Sequence, residues 1–514
     1  MRDRHDHKIS GQQGRARSER IPWVAPSPEE GDGDEASPET AAPRESERHL
    51  SRVSAALDDL IFFLFLAALG WAPFWFGSDR SLAWGVNAIW FGGLVIAFEL
   101  VRIISGRRHP VAFYRIWFPA MACLVVFGWT LIQIAHWIPA GYHNPIWQMA
   151  REASGRDIAG SITVNRDATV LAATRFLTCC AAFWLALQLC RSSARAQSLV
   201  RFLALAGAAY AAYGIVAFFV FPNTILWFDK VTYNDSLTST FVNRNSYATY
   251  AGLGLMSALG ILLNFYISRG EGKAAAISRR LAGLLALTVA GGALWIAVVL
   301  VIGTALVLTG SRGGVSASLG GLLTILVLAG VRGRKNAIGA GFGLLIGGLA
   351  MGVALFNYGD FLADRLTING FASDDRLAVY GLTWRSILDA PLFGFGDGTF
   401  SEVFPMYRDS TIGPFGVWDM AHNSYLEALQ GLGVPVAVLL FLGLGSLFVR
   451  CVLGAIARRR AASAPLVACA ATVIVALHAF VDFSVQMQAV ALTWVALLGA
   501  GVAQSWSGSV ATDR

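Results

Sequence analysis

The stretch AHNSYLEALQ, Ala421 to Gln430, gathers side chains suited to proton transfer beside an apolar run. Of the eight histidines, His5, His7 and His49 lie in a polar N-terminal stretch. His109 follows basic residues, His136 and His143 flank a tryptophan-rich boundary, and His478 lies in an apolar segment. His422 alone sits beside polar neighbours, Asn423, Tyr425 and Glu427, at the start of a helix pattern. A neutral imidazole there suits general-base work near pH 7. A solvated helix cap is the plainer account of the same residues. Along one ideal helix His422 and Tyr425 share a face, whereas His422 and Glu427 diverge by about 140°. Glu427 is therefore not expected simply to orient His422.

Two arginines stand at comparable boundaries, and a third lies inside an expected helix. In FVNRNSYATY, Arg244 is flanked by Asn243 and Asn245 ahead of an apolar run. A helix start exposes N–H groups and the positive end of its dipole, so an anion can sit there with a guanidinium as its fork. The alternative is Asn245 as a cap and Arg244 reaching lipid headgroups. In LTGSRGGVSA, Arg312 sits beside Ser311 in a turn where Gly310, Gly313 and Gly314 permit close approach. An interfacial turn with a headgroup-binding arginine fits as well. In AATRFLTCC, Arg175 falls within an apolar segment, where a charge is expensive and marks either a function or a structural pair. Asp482 and Gln486, in HAFVDFSVQMQA, lie at a further boundary. Asp482 is a candidate partner for an arginine or for His422.

These residues need elements to hold them. The chain is 55% hydrophobic and 14% charged, and its mean hydropathy is +0.55. Apolar runs long enough to cross a hydrocarbon core recur along it. Twelve spanning helices are expected, near 57–77, 82–102, 116–138, 168–190, 198–221, 246–267, 282–308, 313–330, 337–356, 434–450, 463–484 and 487–506. The fold class is thus an all-α polytopic membrane protein.

Loops after alternate helices are rich in base and nearly free of acid. They carry Arg102, Arg107, Arg108 and Arg115; Arg191 and Arg195; Arg269, Lys273, Arg279 and Arg280; Arg332, Arg334 and Lys335; and Arg450, Arg458, Arg459 and Arg460. The positive-inside rule then places both termini in the cytoplasm and every polar cluster named above on the outer face.

The net charge of +7 is thereby explained by loops, and no strand interleaves aromatic with basic residues, so nucleic-acid binding is not expected. The six cysteines show no CxxC spacing and lie away from long outer loops, which argues against a zinc site or a disulfide. Residues 1–50 are charged with both signs and rich in Pro, Gly and Ser, the composition of a disordered cytoplasmic tail. Residues 51–240 carry N-terminal spanning helices, 241–450 the polar motifs and a long outer loop at 357–433, and 451–514 the last spanning helices. A loop that long is expected to be functional. Within it Ser373 is a candidate cap of a helix whose Leu377, Tyr380, Trp384 and Leu388 share one face, an interfacial pattern. The glycines of APLFGFGDGTF lack the strand–helix setting of a nucleotide loop and read as a turn.

FVNRNSYATY, LTGSRGG, PLFGFGDGTF and HNSYLEALQGLG, in this order, resemble the bacterial O-antigen ligase family, which includes O-antigen and exopolysaccharide polymerases. The likeness is strongest from about Phe241 to Val449, extends through VDFSVQM, is weaker over 167–240 and leaves out the tail. It implies a GT-C-like, metal-independent glycosyltransferase of the inner membrane, without cofactor, acting on the periplasmic side. Its donor is a glycan on undecaprenyl diphosphate, and its acceptor is a sugar hydroxyl on lipid A–core or on another lipid-linked glycan. The resemblance makes His422 the base and Arg244 and Arg312 the diphosphate ligands, with Arg175 as a further phosphate contact. Asn243, Asn245, Ser311, Asn423, Tyr425, Glu427 and Asp482 are then supporting residues. A flippase or transporter of lipid-linked oligosaccharides is the main competing class. Such proteins usually show internal repeats and midplane polar sites, which are not evident here. A cell-wall polymerase of the shape-and-division type lacks its acidic loop motif in this sequence.

Overall fold

The computed structural model describes residues 45–269, 292–331, 370–412, 416–458 and 463–506. The chain divides into Met1–His49 and Leu50–Arg514, and the helical bundle lies in the second unit. The ninth expected span (337–356), the first part of the seventh, and Lys273, Arg279, Arg280, Arg332, Arg334, Lys335, Arg459 and Arg460 lie outside the described residues.

The chain is a helical polytopic membrane protein. Its helices are α1 (Glu45–Trp71), α2 (Ser81–Ser105), α3 (Trp117–Ile134), α4 (Ile146–Ser154), α5 (Arg166–Leu189), α6 (Ser193–Val220), α7 (Arg244–Arg269) and α8 (Ala293–Leu308). They continue with α9 (Arg312–Val331), α10 (Gly370–Asp389), α11 (Phe400–Tyr407), α12 (Ser424–Leu432), α13 (Val434–Ala457), α14 (Ser463–His478) and α15 (Gln488–Ala503). Among the described residues, eight helices are long and apolar enough to cross a membrane: α1, α2, α3 (with the preceding turn), α5, α6, α7, α9 and α13. The apolar α8, α14 and α15 each run 16 residues. At about 1.5 Å per residue they reach about 24 Å, shorter than an average hydrocarbon core.

The deepest layer is α7, α14 and α15. Alanines and glycines let these helices approach closely, and in lipid such packing drives helix association. A Cβ on Gly207 would lie 3.2 Å from the Gly254 Cα, and one on Gly321 would lie 2.7 Å from Ile474. The sides of α15 pack against α5 and α14, while α9 packs on α14 and α7. The two-stranded ribbon β1 (Thr224–Ile225) and β2 (Phe228–Asp229) pairs antiparallel between α6 and α7.

One end of the bundle is tied by arginines. Arg102 is not in a loop but in the last turn of α2, buried, with Nη2 2.5 Å from Asp58 Oδ2. Arg195 pairs with Asp59 at 2.6 Å. Arg191, Arg450 and Arg458 donate to Ala503 O, Ser505 O and Gln504 Oε1 at 3.3, 2.5 and 2.6 Å. The arginine-rich segments after α2, α5 and α13 thus gather there with the end of α15.

At the other end lies a small helical cap. α10 opens at Gly370, ahead of Ser373, so Ser373 is not its N-cap. Its Val379 and Leu382 bury with Phe400, Phe404, Ile412 and Ala421. Leu377, Trp384 and Leu388 remain exposed, as the shared apolar face anticipates, but Tyr380 turns inward. The six cysteines are free.

Candidate functional site

The Arg244, Arg312 and His422 motifs each lead into the start of a helix. The Asn243 Oδ1 accepts from Asn245 N at 2.7 Å and Ser246 N at 3.4 Å, so Asn243, not Asn245, caps α7. The Ser311 Oγ accepts from Gly314 N at 3.1 Å, capping α9 after the left-handed Gly310. The Asn423 Oδ1 accepts from Tyr425 N and Leu426 N, both at 3.1 Å, capping α12. These are the ordinary uses of Asn and Ser ahead of a helix. Arg244 and Arg312 become the first helical residues, and His422 stands just before its cap.

A single turn, 479–487, gathers these three starts. Asp482, 0% exposed, accepts from Asn245 Nδ2 at 2.5 Å and from Ser484 Oγ at 2.9 Å. Ser424 N donates to Ala479 O at 2.9 Å, and Ser424 Oγ to Asp482 O at 3.2 Å. His478, at the end of α14, is 2.5 Å from Thr249 Oγ1, and its Nε2 faces Gly313. Phe483 lies edge-on to the His422 ring at a centroid distance of 4.8 Å. Three helix starts therefore meet one turn, and the start of α7 reaches its buried carboxylate through Asn245.

His422 adopts φ +52, a left-handed backbone, and lies outside α12. The helical-wheel angle to Glu427 therefore does not apply; Glu427 instead accepts from the neighbouring Ala421 N. Its ring is held by Trp418 and Phe483, its carbonyl accepts from Tyr380 Oη at 2.9 Å, and its Nδ1 has no partner among the described residues. Burial lowers its pKa to about 4; the Asp482 charge opposes this and Arg376 adds to it. The imidazole is neutral at pH 7. Asp482 acts on it through space, because both carboxylate oxygens are engaged elsewhere.

Arg244 donates to Ser236 Oγ at 3.1 Å and lies over the Tyr233 ring at 5.4 Å. Arg312 is exposed at the start of α9. Both arginines flank the 479–487 turn through their neighbours Asn245 and Gly313.

Arg175 belongs to an adjoining cluster. Its guanidinium lies 4.5 Å from the Trp84 ring and faces Gly398, and Asp482 is not its partner. Three carboxyl groups feel its charge. Burial raises Glu427 to about 7, Asp79 to about 6, and Asp397 above the usual range; Arg175 opposes each shift. Glu427 Oε2 accepts from Ala421 N at 3.1 Å, and Gln486 bonds to the same carboxyl, linking this cluster to the turn. The glycine loop supplies Asp397. Gly394, Gly396 and Gly398 all have positive φ, and Gly394 packs against the backbone of Gly431 and Gly433 at the end of α12. Those glycines serve close backbone packing. Tyr425 points away, donating to Ala476 O at 2.9 Å.

The sequence reading missed Tyr233, Ser236, Arg376, Asp79 and Trp84, and did not place His478 in the site. One signal was available for His478: it precedes Asp482 by one helical turn in HAFVD.

Residues 296–441 match the O-antigen ligase family. This interval holds the Arg312 turn, the glycine loop and the His422 segment, so the family read from the motifs is the one this region carries. The Arg244 motif and Asp482 lie outside the matched interval. No curated protein matches the chain.

Proposed function

From that family region as premise, we propose that the protein moves a glycan from undecaprenyl diphosphate to an acceptor sugar hydroxyl at the periplasmic face of the inner membrane. The observation that carries this is the meeting of three helix starts, bearing Arg244, Arg312 and His422, around the turn of Asp482. An anionic leaving group and a proton acceptor are needed together in such a transfer, and this arrangement supplies both.

In the reaction, the acceptor oxygen attacks the anomeric carbon of the donor sugar while His422 takes its proton. The bond from that carbon to the diphosphate oxygen breaks, and the leaving group keeps the electron pair. Its added negative charge is met by Arg244, Arg312 and the positive ends of α7 and α9, a counter-charge supplied by fixed donors and requiring no metal. The neutral state of His422 suits proton uptake, and the nearby diphosphate favours the imidazolium that forms. Asp482 stabilises that same imidazolium while holding Asn245. The apolar carrier chain lies among the lipid-facing helices.

Arg175 has three carboxyl groups around it, which favours a charge-balanced support on the acceptor side over a third diphosphate contact. Glu427, raised by burial, accepts there from sugar hydroxyls. The acceptor is lipid A–core for a ligase or a second lipid-linked glycan for a polymerase.

The test is transfer by the purified chain in liposomes holding an undecaprenyl diphosphate glycan and either acceptor, in EDTA. Product on one acceptor supports the reading and identifies the reaction. A strict divalent-metal requirement, or translocation of the donor without transfer, overturns it.

A further inference from the structure

We infer that His478 is a positioning residue that sets the spacing between the Arg244 and Arg312 turns, so that both guanidiniums reach one diphosphate. The inference rests on the function proposed above.

His478 is 2% exposed at the last position of α14. One edge of its ring engages α7: Nδ1 lies 2.5 Å from Thr249 Oγ1, and Ser484 Oγ lies 3.5 Å from the same nitrogen. Thr249 is about one turn beyond Arg244 and also donates to Asn245 O at 3.2 Å. The opposite edge lies on α9. A Cβ on Gly313 would stand 2.9 Å from Nε2 and 3.0 Å from Cδ2.

The imidazole is therefore a spacer between the second turn of α7 and the first turn of α9. Gly313 is adjacent to Arg312, so the absence of a side chain there lets the ring sit against the arginine's own turn. Gly314 meets Ala248 of α7 in the same layer. Beside it, Asp482 anchors Asn245, so one short segment grips both arginine-bearing turns.

The test uses the full-length chain in liposomes, with donor KM and kcat measured separately for Gly313→Ala, His478→Ala and the double variant. Each single change is expected to raise donor KM about tenfold while kcat stays within about twofold. In the double variant the added methyl enters the space the ring leaves, so KM is expected to be no higher than for His478→Ala alone. Multiplied effects overturn the inference, because independent destabilisations multiply. A fall in kcat at unchanged KM overturns it too. If His478→Ala fails to accumulate in membranes, His478→Asn keeps a polar atom toward Thr249 and removes the edge facing Gly313; the same KM rise is expected, and an unchanged KM refutes the spacer. Arg312→Ala is measured in parallel. Loss of donor affinity there with no effect at His478 rejects the spacer alone. No loss at Arg312 rejects the proposed function together with it.

Discussion

The two ends of this bundle hold the same kinds of residue and put them to different uses. At one end Arg102 is closed on Asp58 and Arg195 on Asp59, while Arg191, Arg450 and Arg458 fasten the end of α15. At the other, Arg312 is exposed, His422 keeps a buried nitrogen without a partner among the described residues, and burial raises the carboxyls of Glu427 and Asp79 to about 7 and about 6. Paired charges fasten helices. Polar groups left unmatched in a desolvated pocket are poised for a ligand or a proton. Unmatched buried atoms occur at both ends, Asp58 Oδ1 and Arg102 Nε among them, so the contrast lies in carboxylate pairing: Arg102 and Arg195 have it, and Arg312 has none among the described residues.

The sharpest way to break the contrast is to mutate across it. His422→Ala is expected to lower kcat by about 10²–10⁴-fold with unchanged membrane insertion, measured by single-turnover transfer in liposomes. Normal turnover would remove the base from His422. Arg102→Ala is expected to do the reverse. Asp58 then keeps only Arg107, 3.5 Å away and more exposed, so the loss is expected to reach at most about 3–5 kcal/mol, seen as lower yield and Tm, while the surviving protein keeps its kcat.

Removing Arg312 instead, as Arg312→Ala, is expected to weaken donor binding by about 1.5–3 kcal/mol, the worth of hydrogen bonds to a charged group, with little change in Tm. A pH profile sharpens the contrast further. His422 titrates near 4 without ligand, so kcat/KM is expected to hold down to about pH 4 and fall below it. The acid limb of kcat is expected at higher pH, because bound diphosphate favours the protonated ring. Coincident limbs would separate His422 from the diphosphate.

A further effect concerns stability. Glu427 has a pKa of about 7 in the folded chain against an ordinary value of 4.5. The folded state therefore binds more protons than the unfolded one between those values, and stability falls as pH rises through that window. Glu427→Gln is expected to raise Tm at pH 8 and leave it unchanged at pH 4. Equal gains at both would contradict the buried, protonatable carboxyl.

Much of the helical frame was legible because apolar length is a local property: the expected spans at 168–190, 198–221 and 313–330 overlap α5, α6 and α9 closely. The motif residues were legible as helix starts for the same reason. What the sequence concealed were pairings between distant segments. Asn245 and Asp482 bond across 237 positions, and no local pattern announces it. Asn243 and Asn245 are chemically alike, yet one caps a helix and the other reaches the turn; only packing decides which. Arg102 looked like a loop cation because its burial depends on Asp58, a residue on another helix. Arg175 was matched with Asp482 rather than with Asp79, Asp397 and Glu427 because those three come from separate segments.

The left-handed backbone at His422 bears on how this protein would respond to engineering. Glycine adopts that conformation without the penalty of about 1–2 kcal/mol that a Cβ imposes. A programme of stabilisation that scored folding alone would replace His422 early and rank the replacement as an improvement. Retaining histidine there is a trade of robustness for chemistry, and the most heat-resistant variants recovered from such a screen would be the inactive ones.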